Sequence, residues 1–144
     1  MTVAAMLAEK GRDVATVNPS VTLADAAADL AKHKIGALVA VEDRDRIVGI
    51  ISERDIVRAV AADGAEALNA AVDSVMTREV ITCTDDETIN DVMARMTKGR
   101  FRHLPVATTE GRLAGIISIG DVVKARIQQV EREAEELRSY IATA

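Results

Sequence analysis

One stretch of this chain is written twice, and that constrains the fold more than any other feature. Sliding Val14 onto Val80 superposes Val14–Arg58 on Val80–Lys124 without a gap. Gly49-Ile50-Ile51-Ser52-Glu53-Arg54-Asp55 returns as Gly115-Ile116-Ile117-Ser118-Ile119-Gly120-Asp121, with Thr16/Thr82, Thr22/Thr88, Asp25/Asp91, Leu38/Leu104 and Arg46/Arg112 in step. A self-match at a fixed offset over most of a chain means one supersecondary unit used two times. Each copy of the organising stretch reads as the end of a buried strand, then a hydroxyl, then a carboxylate three residues later at the start of a helix.

With 144 residues, of which 49% are hydrophobic, the chain can fill one compact domain or two half-size units sharing a core. Phe101 and Tyr140 are its aromatic residues, so Ile, Val, Leu, Met and Ala must do the packing. A net charge of −5 and a lack of aromatic stacking faces argue against nucleic-acid binding. One cysteine, Cys83, excludes an internal disulfide framework and a multi-cysteine metal site. The first residues lack the basic segment of a signal peptide, and no apolar run approaches the ~20 residues that span a bilayer. The expectation is a cytoplasmic protein with no membrane partner.

Val3, Met6, Leu7 and Lys10 at helical spacing, stopped by Gly11, predict a short amphipathic helix over residues 2–10. Each repeat then reads strand–helix–strand–strand–helix. In the first, Val14–Val17 is a short strand. Leu23, Ala26, Ala27 and Leu30 mark the inner face of a helix opened by Thr22. Leu38–Val41 and Ile47–Ile51 are strands flanking the charged turn Glu42–Arg46. Ser52 opens a second helix with Ile56, Val57 and Val60 inward, and Ala61–Val72 is a connector. The second repeat follows suit, with Val80–Cys83, Thr88–Thr97, Leu104–Ala107 and Leu113–Ile117. Its last helix does not stop where its counterpart does. Val123, Ile127, Val130, Ala134, Leu137 and Ile141 recur at alternating four- and three-residue steps between Glu and Arg flanks, an apolar seam about three heptads long. A lone helix with such a seam needs something to pack on.

The element order, the paired Gly-hydrophobic-hydrophobic-Ser-x-x-Asp, the Val-x-Thr before each first helix, and Arg102-His103-Leu104-Pro105-Val106 resemble a tandem pair of CBS domains (a Bateman module) over about residues 10–126. Ile35-Gly36-Ala37-Leu38-Val39 and Ser52-Glu53-Arg54-Asp55-Ile56 are similar to small stand-alone bacterial members. The fold expected is α/β: two pseudo-symmetric repeats, residues 1–72 and 73–144, with a short N-terminal helix and a long C-terminal one. The resemblance implies two clefts between the repeats that take AMP, ADP, ATP, NAD-type or S-adenosyl ligands and regulate something else.

Ser52/Asp55 and Ser118/Asp121 carry two readings. Ser-x-x-acid at a helix start is a capping box, and Thr22/Asp25 and Thr88/Asp91 supply a second pair, for which the capping reading is kept. A helix start is also a natural site for a phosphate or ribose, and Asp is shorter than the Glu or Gln the box prefers. The resemblance implies that Asp55 and Asp121 grip ribose hydroxyls with Ser52 and Ser118 nearby. Lys98–His103 is the one concentrated basic stretch: a solvated loop, or a phosphate clamp of forked Arg donors and His103. Arg102 and His103 stand where the first repeat has Gly36 and Ala37, so the two clefts are not chemically equivalent. In the family's geometry they serve the nucleotide whose ribose Asp55 holds. Thr16 and Thr82 are strand-edge threonines or, by resemblance, adenine contacts. Ile35, Ala37 and Phe101 are base-pocket walls or plain core. Cys83 reads as a small buried hydrophobe.

Enzyme motifs are absent: there is no phosphate-cradling Gly loop ending in Lys-Ser/Thr and no His-Glu-x-x-His. Nothing in the spacing of Ser118, His103 and Asp121 supports a triad. The sequence therefore reads as a non-catalytic sensor without catalytic cofactor or metal, binding an adenine nucleotide (AMP first, or ADP, ATP or NAD(H)) and forming a homodimer. The alternatives are a ligand-independent interaction module that regulates a partner enzyme, and an enzyme of unknown type.

Overall fold

The computed structural model describes residues 1–143. Helix α1 (Val3–Lys10) is capped by the Thr2 hydroxyl, which accepts from Ala5 N–H, and stopped by Gly11 at φ 100°. The first repeat comprises β1 (Thr16–Val17), α2 (Leu23–His33), β2 (Ala37–Glu42), β3 (Arg46–Ser52) and α3 (Glu53–Asp63). The second comprises α4 (Ile89–Gly99), β4 (His103–Ala107), β5 (Leu113–Ser118) and α5 (Ile119–Thr143). The connector is wound into two 3₁₀ turns, Gly64–Asn69 and Val72–Ser74.

β1 pairs parallel with β2, and β2 antiparallel with β3. In the second repeat β4 and β5 form a two-stranded hairpin. The strand expected over Val80–Cys83 is reduced to one bridge, in which Cys83 N–H donates to Pro105 O and Cys83 O accepts from Ala107 N–H. Pro105 has no N–H to give, so a longer ladder would lose a rung there. Both hairpins carry a bulge at the same place, between Ala40 and Val41 and between Val106 and Ala107. The repeat thus extends to backbone irregularities.

The pseudo-two-fold axis passes between the hairpin turns. Arg46 and Arg112, equivalent residues, face each other in an antiparallel bridge, with Ile47 N–H donating to Gly111 O (3.2 Å) and Leu113 N–H to Asp45 O (2.8 Å).

The segment preceding each repeat packs into the core of the other. Val3, Met6 and Leu7 are buried with Ile89, Val92, Met96, Leu104 and Ile117. Val72 and Met76 are buried with Leu23, Leu30, Leu38 and Ile51. Matching hydrogen bonds fasten the exchange: Val3 N–H to Glu87 O, and Val72 N–H to Val21 O. The glycine that opens each organising stretch now has its reason. A Cβ on Gly49 would lie 2.4 Å from Met76 Sδ, and one on Gly115 would lie 2.8 Å from Leu7 Cδ1. Each incoming side chain occupies the volume that the missing Cβ leaves. A boundary at residue 72/73 is a proposed division of the sequence, since the two cores are interleaved.

One expectation about a helix face needs correction. Val57, expected inward, is 66% exposed, while Ile56 beside it is buried. At 100° per residue a helix resting on one neighbour buries a single stripe, and the repeat offers α3 nothing on the Val57 side. On α5, Val122 and Ala125 are buried, whereas the seam residues Val123, Ile127, Val130, Leu137 and Ile141 are exposed. The seam is present, and it faces away from the module.

Candidate functional site

Ser52 ends β3 and caps α3. Its Oγ accepts from Asp55 N–H (3.2 Å), and Asp55 Oδ2 accepts from Ser52 N–H (2.8 Å) and from Ser52 Oγ–H (3.0 Å). The box is complete, yet Asp55 Oδ1 has no hydrogen-bond partner among the described residues. Capping and ligand binding are therefore not rivals at this position, because a carboxylate has lone pairs for both. At Thr22/Asp25 and Thr88/Asp91 the threonine hydroxyl accepts from the helix N–H, but the acid makes no return bond. These are half-boxes, consistent with a capping role alone.

Asp55 looks into a cleft of about 390 Å³ between the repeats. Ala37, Ile50 and Ser52 line it from the first repeat, and Phe101, Arg102 and His103 from the second. Thr77 and the irregular run through Glu79, Val80 and Ile81 form the remaining wall. The volume is within the ~300–1,000 Å³ range of small-molecule sites. Apolar surface comes from Ile50, Phe101, Val80 and half-exposed Ile81; charge comes from Arg54, Arg58, Arg100 and Arg102 against Glu53, Asp55 and Glu79.

His103 reaches across from the second repeat. Its Cε1 lies 3.5 Å from where a Cβ of Gly36 would stand, beside Glu53 Oε1. Burial holds its pKa below the ordinary imidazole value and the cations Lys10 and Arg102 add to this, opposed by Glu53 and Asp121. A neutral imidazole offers one donor and one acceptor.

The counterpart position differs. Ser118 and Asp121 form the same box, with Ser118 N–H donating to Asp121 Oδ2 (2.9 Å) and Asp121 N–H to Ser118 Oγ (3.2 Å). Here Lys10, from the end of α1, donates to Asp121 Oδ2 (2.5 Å) and to Ile116 O (2.8 Å). Burial alone would raise the Asp121 pKa, but the Lys10 ammonium and the Ser118 N–H and hydroxyl outweigh it and hold the carboxyl below its usual range.

Of the residues singled out in the sequence, Ala37, Ser52, Asp55, Arg102 and His103 share the cleft. Ser118 and Asp121 stand at the Lys10 side. Thr16, Thr82 and Ile35 do not line the cleft. Thr16 sits in β1 opposite Val39. Thr82 O accepts from Arg95 Nη2 (2.7 Å). Ile35 follows the left-handed Lys34 that ends α2, and its N–H closes the helix on Leu30 O. With no strand over residues 80–82, Val80 and Ile81 are laid along the cleft in place of Thr82. Arg54 and Arg58, four residues apart just after Ser52, were legible as a basic helical face. Thr77 and Glu79 carried no such signal. Cys83 is buried as expected. Its thiol is pushed up to about 12 by burial and by Glu87, with Arg95 acting in the opposite direction.

Among the described residues no group of His, Cys, Asp and Glu could hold a metal ion, and no helix is long and apolar enough to cross a membrane.

Fold and cleft together define a class: a tandem α/β repeat with a polar-rimmed cleft at the repeat interface and a helix-capping carboxylate inside it. The sequence profile of the CBS domain matches residues 10–62 and 72–128, and the chain belongs to the CBS-domain family as a tandem pair. It is similar to a CBS-domain-containing protein from Agrobacterium tumefaciens, with 51% identity, a TM-score of 0.81, and coverage of 87% of this chain and 98% of that one. A CBS domain pair solved in complex with 5′-methylthioadenosine and S-adenosyl-L-methionine is 28% identical with a TM-score of 0.80, over 90% of this chain and 98% of that one. A CBS domain protein from Pyrobaculum aerophilum complexed with AMP is 28% identical with a TM-score of 0.75, over 84% and 89% of the two chains.

Proposed function

We propose that this chain is a non-catalytic, cytoplasmic energy sensor that binds an adenine nucleotide (AMP, ADP, ATP or a NAD-type ligand) in the Asp55 cleft. The observation that carries the reading is the free Oδ1 of Asp55, held at the N-terminus of α3 inside a cleft with apolar walls and a cationic rim. A carboxylate with one oxygen anchored and one free is preorganised to accept from a ribose hydroxyl. Ala37, Ile50, Ile81 and Phe101 offer the apolar faces a base needs, while Arg102 and neutral His103 offer donors to phosphate. The adenosine-bearing ligands of the two relatives support the same class.

Occupancy would tie the first repeat to Arg102 and His103 of the second and shift how the repeats pack, which is the differential affinity a sensor requires. Differential scanning fluorimetry with AMP, ADP, ATP, NADH and S-adenosylmethionine tests the reading. A ligand present at 100 times its Kd raises stability by about 2.7 kcal/mol. No shift with any of the five overturns it.

A second reading rests on α5. Val123, Ile127 and Val130 are 44%, 53% and 47% exposed, and Leu137 and Ile141 continue the stripe. This surface supports a homodimer through which a partner protein reads the ligand state. Ile127→Asp with Leu137→Asp would place two charges in that interface at a cost of several kcal/mol of association. Sedimentation equilibrium decides: a monomeric wild type removes the dimer, and an undiminished dimer in the double variant clears α5 of the role.

A further inference from the structure

Four arginines line the Asp55 cleft: Arg54 and Arg58 from α3, and Arg100 and Arg102 from the segment between α4 and β4. None makes a salt bridge or a side-chain hydrogen bond among the described residues, whereas Arg12, Arg46, Arg95 and Arg112 are all paired with acids. Arg44 and Arg132 are likewise unpaired, but they stand apart; what sets these four aside is that all of them line one cleft.

Their placement is two-sided. Arg54 and Arg58 are one helical turn apart on the first repeat, while Arg100 holds the left-handed position (φ 56°) that ends α4 and turns the chain toward Arg102 on the second. The acids facing them are Glu53, Asp55 and Glu79, and His103 on the same wall is neutral at pH 7. Asp55 already has one oxygen committed to its cap. The rim is thus cationic on both banks, and a single phosphate cannot engage four forked donors.

We infer that this cleft selects its ligand by phosphate number, taking an adenine nucleotide with two or three phosphates in preference to AMP, and rejecting the S-adenosyl compounds. The inference rests on the nucleotide-binding reading above and deepens it. Each added phosphate brings charge and acceptor oxygens that Arg meets in bidentate fashion. The sulfonium of an S-adenosyl ligand brings a cation instead, to a rim where four arginines outnumber the three acids Glu53, Asp55 and Glu79.

Isothermal titration of the full chain with adenosine, AMP, ADP, ATP, S-adenosylmethionine and inorganic tripolyphosphate, at low and high salt, tests this. Affinity should rise roughly ten-fold from AMP to ADP and again to ATP, since charge-assisted hydrogen bonds are the strong ones. The ATP affinity should fall more steeply with salt than the AMP affinity. Arg58→Gln and Arg100→Gln should each shrink the ATP-to-AMP ratio several-fold, with an unchanged melting temperature as the folding control. AMP binding as tightly as ATP, or S-adenosylmethionine binding tighter than either, overturns the inference while leaving a nucleotide site intact. Tripolyphosphate binding as tightly as ATP also overturns it, because the cleft is then an anion site without a base pocket. If none of the adenosine compounds binds, the nucleotide reading itself fails.

Discussion

At Ser52–Asp55 and Ser118–Asp121 the same capping box occupies the same place in the same supersecondary unit, yet the two carboxylates meet different neighbours. On the first side the edge of β3 is covered by main chain: Ile50 and Thr77 exchange both of their backbone hydrogen bonds. Asp55, which lines the cleft, keeps its Oδ1 without a hydrogen-bond partner among the described residues. On the second side the equivalent edge of β5 is covered by side chains. Lys10 donates to Ile116 O, Arg12 donates to Ala114 O, and the Lys10 ammonium continues to Asp121. One box faces a cavity and the other is engaged by a cation from α1. Duplication therefore made two equivalent scaffolds, and the segments preceding the repeats made them unequal. Asp55 lines the cleft with no cation on it, whereas Asp121 shares its capping oxygen Oδ2 with the Lys10 ammonium.

The contrast can be broken most forcefully at the exchanged segments. Leu7 is fully buried against the second repeat, so Leu7→Ala should cost about 2–5 kcal/mol in chemical denaturation. Hydrogen exchange should place the loosening in the second repeat, although residue 7 precedes the first. Loosening confined to the first repeat would contradict the exchange.

The next effect is on binding. Asp55→Ala should weaken nucleotide affinity by roughly ten- to a hundred-fold, the worth of a charged hydrogen-bond partner of about 1.5–3 kcal/mol. Asp121→Ala should leave that affinity within about two-fold, because its carboxylate is engaged by Lys10. Equal losses in titrations of the two variants would erase the distinction between the clefts.

Lys10→Met sharpens the comparison. The lost ion pair is partly exposed and contributes about 1 kcal/mol or less to stability. Its larger consequence is an Asp121 carboxylate held by its cap alone, as Asp55 is, and titration should then reveal a second, weaker nucleotide site. The same substitution should raise the His103 pKa, since Lys10 is the leading cation holding it down. An NMR titration of His103 unchanged by Lys10→Met would place the lysine's charge away from that imidazole.

The smallest effect is a pH dependence. Because the folded state depresses the His103 pKa below its ordinary 6.5, the unfolded state binds more protons in that range. Stability is unaffected by this group well above pH 6.5 and falls as pH drops from there toward the folded pKa. His103→Gln should flatten the pH dependence of the denaturation midpoint below about pH 6.5; an unchanged slope would show that His103 contributes nothing to it.

Much of the architecture was legible because the signals were local or repeated. Thr2 and Gly11 bound α1, the apolar steps mark α2 and α4, and apolar runs flanking the charged turn Glu42–Arg46 give the first hairpin, with the repeat giving the second. The Ser-x-x-Asp boxes and the pairing of Arg102 and His103 with Asp55 in one cleft were also accessible, the latter through the family resemblance. Thr16, Thr82 and Ile35 stand outside the Asp55 cleft for a shared reason. Which residues of a short strand face a cleft depends on its register, and one bridge at Cys83 in place of a strand lays Val80 and Ile81 along the wall instead. Val57 was misplaced because a helical apolar residue does not say whether its neighbours lie in the same chain.

The sequence by itself determined the repeat, its element order, the caps and turns, the family, and the asymmetry of Gly36-Ala37 against Arg102-His103. These are properties of residue types at short spacings, set by backbone propensity and apolar period. Only the tertiary structure decided that α1 belongs to the second core and Val72–Met76 to the first, that Lys10 engages Asp121, and that four unpaired arginines gather at one cleft. Such facts join residues as far apart as Lys10 and Asp121, whose meeting depends on how whole elements dock and leaves no trace in local pattern.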